Sequence, residues 1–82
     1  MTFTVYSKPA CPQCDQAKSI IKAKGRDYVE VILDVGQPKA EGVSYISREE
    51  LIAKAPGARM MPQIFEGERY IGSLTELRAD LA

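Results

Sequence analysis

Two thiols stand close together in the run Cys11-Pro12-Gln13-Cys14, and they are the only cysteines in the chain. A bond between them closes too short a loop to hold a domain together, because disulfide stabilisation grows with loop length. A metal is poorly served as well. The chain has no histidine, so the N and S groups of one copy cannot fill a four-ligand zinc site, even with an oxygen from Asp15. What remains is a redox dithiol, with a metal held between two copies as the alternative. Structural context decides between them.

That context is a strand running into a helix. Residues 2–6, Thr-Phe-Thr-Val-Tyr, alternate and are β-branched or aromatic, which predicts a strand. Ser7-Lys8-Pro9-Ala10 reads as a turn. Pro12 suits a first helical position, where its missing N–H costs nothing. Cys14, Ala17, Ile20, Ile21 and Lys24 then recur at helical spacing, and Gly25 is a natural stop. Cys11 thus falls at the helix N-cap and Cys14 one turn on, on the same face. The spacing brings their Cα atoms within the ~4.4–6.8 Å a disulfide needs.

The two thiols are not equivalent. Cys11 faces unpaired N–H groups and the positive end of the helix dipole, which favour a thiolate. Lys8 adds positive charge. Together these predict a Cys11 pKa in the ~3.5–7.5 range of such motifs rather than at the ordinary ~8.5. Cys14 lies inside the first turn, where burial raises a thiol pKa. Cys11 is therefore the expected attacking nucleophile and Cys14 the resolving thiol.

The rest of the chain has to hold this junction. Residues 27–35 (Asp-Tyr-Val-Glu-Val-Ile-Leu-Asp-Val) are nearly continuous in apolar character after Glu30 and predict a strand covered on both faces. Tyr28, Val29, Val31, Ile32, Leu33 and Phe65 are expected core. Residues 36–46 carry Gly, Pro and Ser and read as a loop. Ser47-Arg48-Glu49-Glu50 has capping-box spacing and opens a short helix over 48–55, ended by Pro56-Gly57. Gln63-Ile64-Phe65 and Arg69-Tyr70-Ile71 predict a β-hairpin. Ser73-Leu74-Thr75-Glu76 is a second capping box, opening a last helix to about Leu81. The order β-α-β-α-β-β-α gives an α/β fold: a four-stranded mixed sheet flanked by three helices, its first three elements a right-handed βαβ unit.

Pro62, in Met60-Met61-Pro62-Gln63, cannot lie in a strand centre and belongs in a turn. It is an ordinary strand-start proline or a cis-proline, an isomer that costs an X–Pro bond only ~0.5–1 kcal/mol. Facing the dithiol, a cis form would leave the Met61 backbone free to pair with an extended thiol substrate. Arg59 is a surface cation or a partner for a substrate carboxylate. Met60 and Met61 are packing residues or an adaptable apolar contact. Tyr6 is core or groove wall, and Lys18, Lys22 and Lys24 form a basic, solvated helix side.

Composition excludes other classes. At 82 residues the chain is expected to form one domain over 1–82, burying roughly 63% of its unfolded surface. It is 45% hydrophobic and 27% charged, ordinary for a soluble globular protein. Eleven basic residues balance eleven acidic ones, so nothing argues for nucleic acid. No apolar run reaches the ~18 residues that cross a membrane. Residues 1–6 lack the apolar stretch of a signal peptide. A cytoplasmic location is expected, where thiols stay mostly reduced.

With Cys-Pro-Gln-Cys after the first strand, Met-Pro-Gln-Ile-Phe at the third and Tyr-Ile-Gly-Ser-Leu-Thr-Glu-Leu at the last helix, the chain resembles the glutaredoxins. The resemblance spans almost the full length and is nearest to small phage and bacterial dithiol members. It implies a thioredoxin-like fold and a glutathione-dependent thiol–disulfide oxidoreductase, with glutathione as co-substrate and no bound cofactor or metal. Cys11 would form the mixed disulfide with glutathione and Cys14 would resolve protein disulfides. Lys8 would meet a glutathione carboxylate. Gln13 would flank the tripeptide, and Met61, before Pro62, would bind its cysteinyl part through the backbone. Ser73, Thr75 and Glu76 would hold its γ-glutamyl end, where free helix N–H groups favour an anion. Protein disulfides are the implied partners, ribonucleotide reductase among them, and the chain would act as a monomer. Departures from the family pattern fall on the glutathione contacts: Gln13 for Tyr, Met60-Met61 for Thr-Val, Gly72-Ser73 for Gly-Gly and Glu76 for Asp. Two alternatives stay open. One is thioredoxin reductase as electron donor; the other is an iron–sulfur cluster carried by a glutathione-bridged dimer.

Overall fold

The computed structural model describes residues 2–82; Met1, the start of the segment read for a leader, lies outside them. Strand β1 (Phe3–Ser7) leads into helix α1 (Pro12–Ala23) and returns as β2 (Tyr28–Leu33). A short β3 (Ser44–Ile46), α2 (Arg48–Lys54), the hairpin β4 (Gln63–Glu66) and β5 (Arg69–Gly72), and α3 (Leu74–Asp80) follow. The strands form one mixed sheet in the order β3-β2-β1-β4-β5. β1 pairs parallel with β2 and β2 parallel with β3, while β4 runs antiparallel to both β1 and β5.

The sheet has five strands, not four. β3 lies within the stretch read as a loop. Three residues, Ser44-Tyr45-Ile46, are too few to carry a strand signal amid the glycines and proline around them. Tertiary contact creates the strand instead. The chain must pass the outer edge of β2 on its way to α2, and that edge offers unpaired backbone groups. Leu33 comes opposite Ile46, and the Asp34 N–H donates to the Ile46 carbonyl at 2.8 Å.

Alternation along β1 explains the two layers of core. Phe3 and Val5 point to one face, where Ala17 and Ile21 of α1, Ile64 of β4 and Leu77 of α3 close over them. Tyr6 points to the other face, against Leu33, Ile46 and Leu51 of α2. Each of these side chains contributes ~1.5–3 kcal/mol on full burial. Val29 does not join them and is 51% exposed. It pairs beside Thr4 near the start of β2. Strand β2 is therefore covered on both faces over only part of its length.

Both capping residues open their helices. Ser47 Oγ accepts the Glu50 N–H at 3.1 Å and Glu50 returns to the Ser47 N–H at 3.2 Å. At α3, Glu76 Oε1 accepts the Ser73 N–H at 2.8 Å. Gly72 permits this fold-back. Its φ is +128°, and a Cβ there would lie 2.7 Å from Glu76 Cγ, so only glycine fits.

One polar cluster ties the dithiol arm to the sheet. Glu30 of β2 accepts from Ser7 Oγ and from Lys18 Nζ of α1, each at 2.7 Å. Burial works against the Glu30 carboxylate, but these two hydrogen bonds outweigh it and hold its pKa below the ordinary value. Burial likewise opposes the Lys18 charge, and the Glu30 and Asp15 carboxylates outweigh it and raise the lysine pKa.

A depressed carboxylate pKa stabilises the fold above the unfolded value near 4.5 and loses that contribution as pH falls through the folded value. Glu30→Gln should therefore lower stability at neutral pH by about 1 kcal/mol, a small figure because the pair is partly solvated. Urea unfolding at a series of pH values should show the gap between variant and wild type closing as pH falls below about 4.5 and through the folded value. A constant gap across that range would mean that shape, not charge, is what Glu30 contributes.

Candidate active site

The strand-to-helix junction is built as a turn that delivers one sulfur to a helix start. Ala10 takes φ +54°, a left-handed conformation uncommon outside glycine, and swings the chain from β1 into α1. Cys11 is the N-cap, extended at φ −122° and ψ 93°, and Pro12 occupies the first turn. The Cys11 sulfur accepts the Cys14 N–H at 3.2 Å, while the Cys11 carbonyl begins the helical ladder, accepting from Cys14 and Asp15. Sulfur has taken the place of the usual capping oxygen.

Cys11 and Cys14 are joined as a disulfide with Cα atoms 5.3 Å apart, as their spacing predicts. Their surroundings differ in the expected sense. Cys14 is 1% exposed and Cys11 9%, so an incoming sulfur can reach only Cys11 without moving the helix.

Beside Cys11 opens a hollow of about 490 Å³, lined by Lys8, Gln13, Arg59, Met60 and Met61 among others. The structure thus brings together four of the sequence-predicted positions: Lys8, Cys11, Gln13 and Met61. Pro62 is buried behind them, and its bond to Met61 is cis. Ser73, Thr75 and Glu76 lie outside the lining of this hollow, at the start of α3. Arg59 and the 60% exposed Met60 line it. Met61 packs partly into the α2-side core. Tyr6 is core, its ring edge-on to Phe65 at 5.7 Å between centroids. Lys18 and Lys22 are drawn into ion pairs with Glu30 and Asp27.

The sequence reading passed over Gln63. It is 2% exposed, and its side-chain N–H donates to the Met60 carbonyl at 2.7 Å. The Tyr70 hydroxyl of β5 in turn donates to Gln63 Oε1. A polar chain therefore runs from the hairpin to the Met60-Met61 turn and fixes its backbone opposite Cys11. An amide at the head of an apolar strand was the available signal, since a buried polar side chain almost always holds something in place.

This arrangement can perform thiol–disulfide exchange. A thiolate at a helix start is stabilised by free N–H groups, and a second thiol one turn behind can displace whatever the first has bound.

Comparison with known proteins gives the same reading. The family model described as Glutaredoxin matches residues 3–71. A glutaredoxin of Pseudomonas aeruginosa is 36% identical over 75 residues, covering 92% of this chain and 79% of that protein. Glutaredoxin 3 of Escherichia coli is 35% identical over 75 residues, covering 92% and 80%. The solution structure of reduced Escherichia coli glutaredoxin superposes with a TM-score of 0.72 at 26% identity, covering 99% of this chain and 93% of that one. The chain belongs to the glutaredoxin family, has its thioredoxin-like fold and is a thiol–disulfide oxidoreductase.

Removing the Gln63 amide frees two partners, the Met60 carbonyl and the Tyr70 hydroxyl, both on half-exposed residues that can turn to water. Gln63→Leu should cost about 1 kcal/mol, the net worth of a hydrogen bond. Urea unfolding measures it directly. An unchanged midpoint would mean that the Met60-Met61 turn is held by other contacts.

Proposed function

We propose that this member of the glutaredoxin family is a dithiol enzyme that takes its electrons from glutathione and passes them to protein disulfides and glutathione mixed disulfides. The observation that carries this reading is the Cys11–Cys14 disulfide at the start of α1, opening onto the hollow of Lys8, Gln13 and the Met61 backbone.

In the forward direction the Cys11 thiolate attacks one sulfur of a substrate disulfide. A Cys11–substrate bond forms and the other substrate sulfur leaves as a thiolate, which takes up a proton. Cys14, deprotonated, then attacks the Cys11 sulfur. The bond between them closes and the second substrate thiol departs. Two electrons have moved from the enzyme dithiol to the substrate. Two glutathione molecules restore the dithiol and leave as glutathione disulfide. With a glutathione mixed disulfide as substrate, Cys11 alone suffices, because a second glutathione can take the place of Cys14.

Lys8 is exposed beside Cys11 and suits a glutathione carboxylate. The extended cysteinyl part would lie along the Met61 backbone, held in place by the buried Pro62 and by Gln63 behind it. At the start of α3 the first-turn N–H groups suit the γ-glutamyl carboxylate. Ser73 and Thr75 stand at that point, and the Glu76 carboxylate, folded onto the Ser73 N–H at 2.8 Å, suits the γ-glutamyl ammonium.

Cys11→Ser should abolish turnover of every disulfide. Cys14→Ser should keep turnover of glutathionylated substrates and lose most reduction of protein disulfides. The donor is tested by coupling wild type to glutathione with glutathione reductase in one assay and to thioredoxin reductase in another. Turnover only in the second would overturn the glutathione reading. Preferential alkylation of Cys14 at mildly acid pH would reverse the two thiol roles.

A further inference from the structure

The resolving step puts charge in a buried place. Cys14 is buried, and it must ionise before its sulfur can attack a mixed disulfide at Cys11. Burial disfavours a thiolate there. Cys11 has the helix start beside it, whereas Cys14 has a cation one turn further along α1.

Lys18 follows Cys14 by four residues, so the two side chains neighbour each other on one face of the helix. Helical side chains lean towards the N-terminus, which carries the lysine back towards the thiol. Two carboxylates hold its ammonium at that level. Asp15, the residue after Cys14, lies 3.4 Å away, and Glu30 of β2 lies 2.7 Å away. The same Glu30 oxygen accepts from Ser7 Oγ at the buried end of β1. Only 21% of the Lys18 side chain is exposed, against 61% for Lys22 one turn on, so Lys18 is held against the sheet and Lys22 stands in solvent.

Helix α1 packs on β1, β2 and α3, and their other ionisable groups are turned elsewhere. Tyr6 of β1 points to the opposite face of the sheet, and Tyr28 of β2 packs against the Phe3 core. On α3, Glu76 folds onto the Ser73 N–H, Arg78 reaches Gln16 and Asp80 pairs with Arg69. Lys8 lies in the hollow on the Cys11 side.

We propose that Lys18 is the electrostatic partner of the resolving thiol: its ammonium offsets the negative charge that gathers on the Cys14 sulfur as that thiol ionises to attack Cys11. Glu30 and Asp15 are positioning residues that hold the ammonium there. Without it, their two carboxylates would face Cys14 uncompensated, and a like charge disfavours a thiolate. In the step itself the Cys14 S–H bond breaks and its proton passes to solvent. The freed electron pair forms the Cys14–Cys11 bond, and the substrate sulfur leaves with the pair of the Cys11–substrate bond. Burial opposes the Lys18 charge, but Glu30 and Asp15 outweigh it, so the ammonium persists where a thiol titrates. The inference rests on the dithiol route proposed above and adds a residue to its second half.

The test uses the full chain in two forms. In the Cys11→Ser chain the one remaining thiol is Cys14, and ultraviolet thiolate absorbance gives its midpoint. Lys18→Gln removes the charge and keeps an N–H donor for Glu30. It should raise that midpoint by about one pH unit. Lys18→Arg keeps the charge and should leave the midpoint close to that with Lys18. Lys22→Gln makes the same change in net charge one turn on and should leave it unmoved. With both cysteines present, rapid mixing of the reduced chain with the uncharged disulfide of mercaptoethanol separates release of the first mercaptoethanol from release of the second. Near neutral pH, Lys18→Gln should slow the second release about threefold, because fewer thiolates form although each is the stronger nucleophile. The first release should be unchanged, which also shows that the variant is folded.

An unchanged Cys14 midpoint in Lys18→Gln would overturn the inference, and so would an equal rise in Lys22→Gln or in Lys18→Arg. Slowing that falls equally on both releases would overturn it too. A wild-type chain that releases only one mercaptoethanol lacks the dithiol route, which removes that part of the proposed function, while the Cys14 midpoint still decides whether Lys18 acts on the thiol.

Discussion

The free N–H groups at the start of α1 are the constraint on which this molecule turns. A helix leaves its first donors without internal partners. Here one of them, from Cys14, is shared between the Cys11 carbonyl and the Cys11 sulfur, the latter at 3.2 Å. That single choice of capping atom makes Cys11 the natural seat of negative charge and puts Cys14 one turn away to close the disulfide. Pro12 removes a donor that would have needed a partner and presets the helical φ. Ala10 supplies the tight turn that brings the sulfur to the helix end.

The remaining structure keeps that junction in place. Phe3 and Val5 anchor β1 to α1 through Ala17 and Ile21. Glu30 joins the last residue of β1 to the middle of α1 through Ser7 and Lys18. On the facing side the Tyr70–Gln63–Met60 chain fixes the turn before Pro62. Both walls of the hollow are thus held by the sheet: the dithiol through β1, the Met60-Met61 turn through β4 and β5. Reacting groups positioned this way need little rearrangement to meet a substrate sulfur.

What could be read from the sequence was what is local. The Pro12 position, the Gly25 stop and the Ser47 and Ser73 caps are chemical signals within a few residues, and the helices begin where those signals lie. The Cys11–Cys14 asymmetry is equally local, since it depends only on where a helix starts. Non-local features stayed out of reach. Strand β3 exists because the edge of β2 draws three residues into pairing. Val29 is exposed within an apolar run, because cover depends on what packs over the strand, which the β2 sequence cannot report. Gln63 gains its meaning from partners elsewhere in the chain, Tyr70 and the Met60 carbonyl.

The central claim is that the helix start makes Cys11, and not Cys14, a thiolate at neutral pH. Titration of the reduced protein, followed by thiolate absorbance in the ultraviolet, measures it directly, with Cys14→Ser to isolate the Cys11 signal. The account predicts a Cys11 midpoint well below the ordinary thiol value of ~8.5 and a Cys14 midpoint above it. A Cys11 midpoint at or above ~8.5 would contradict it, because the N–H groups and dipole at the head of α1 would then not be acting on that sulfur.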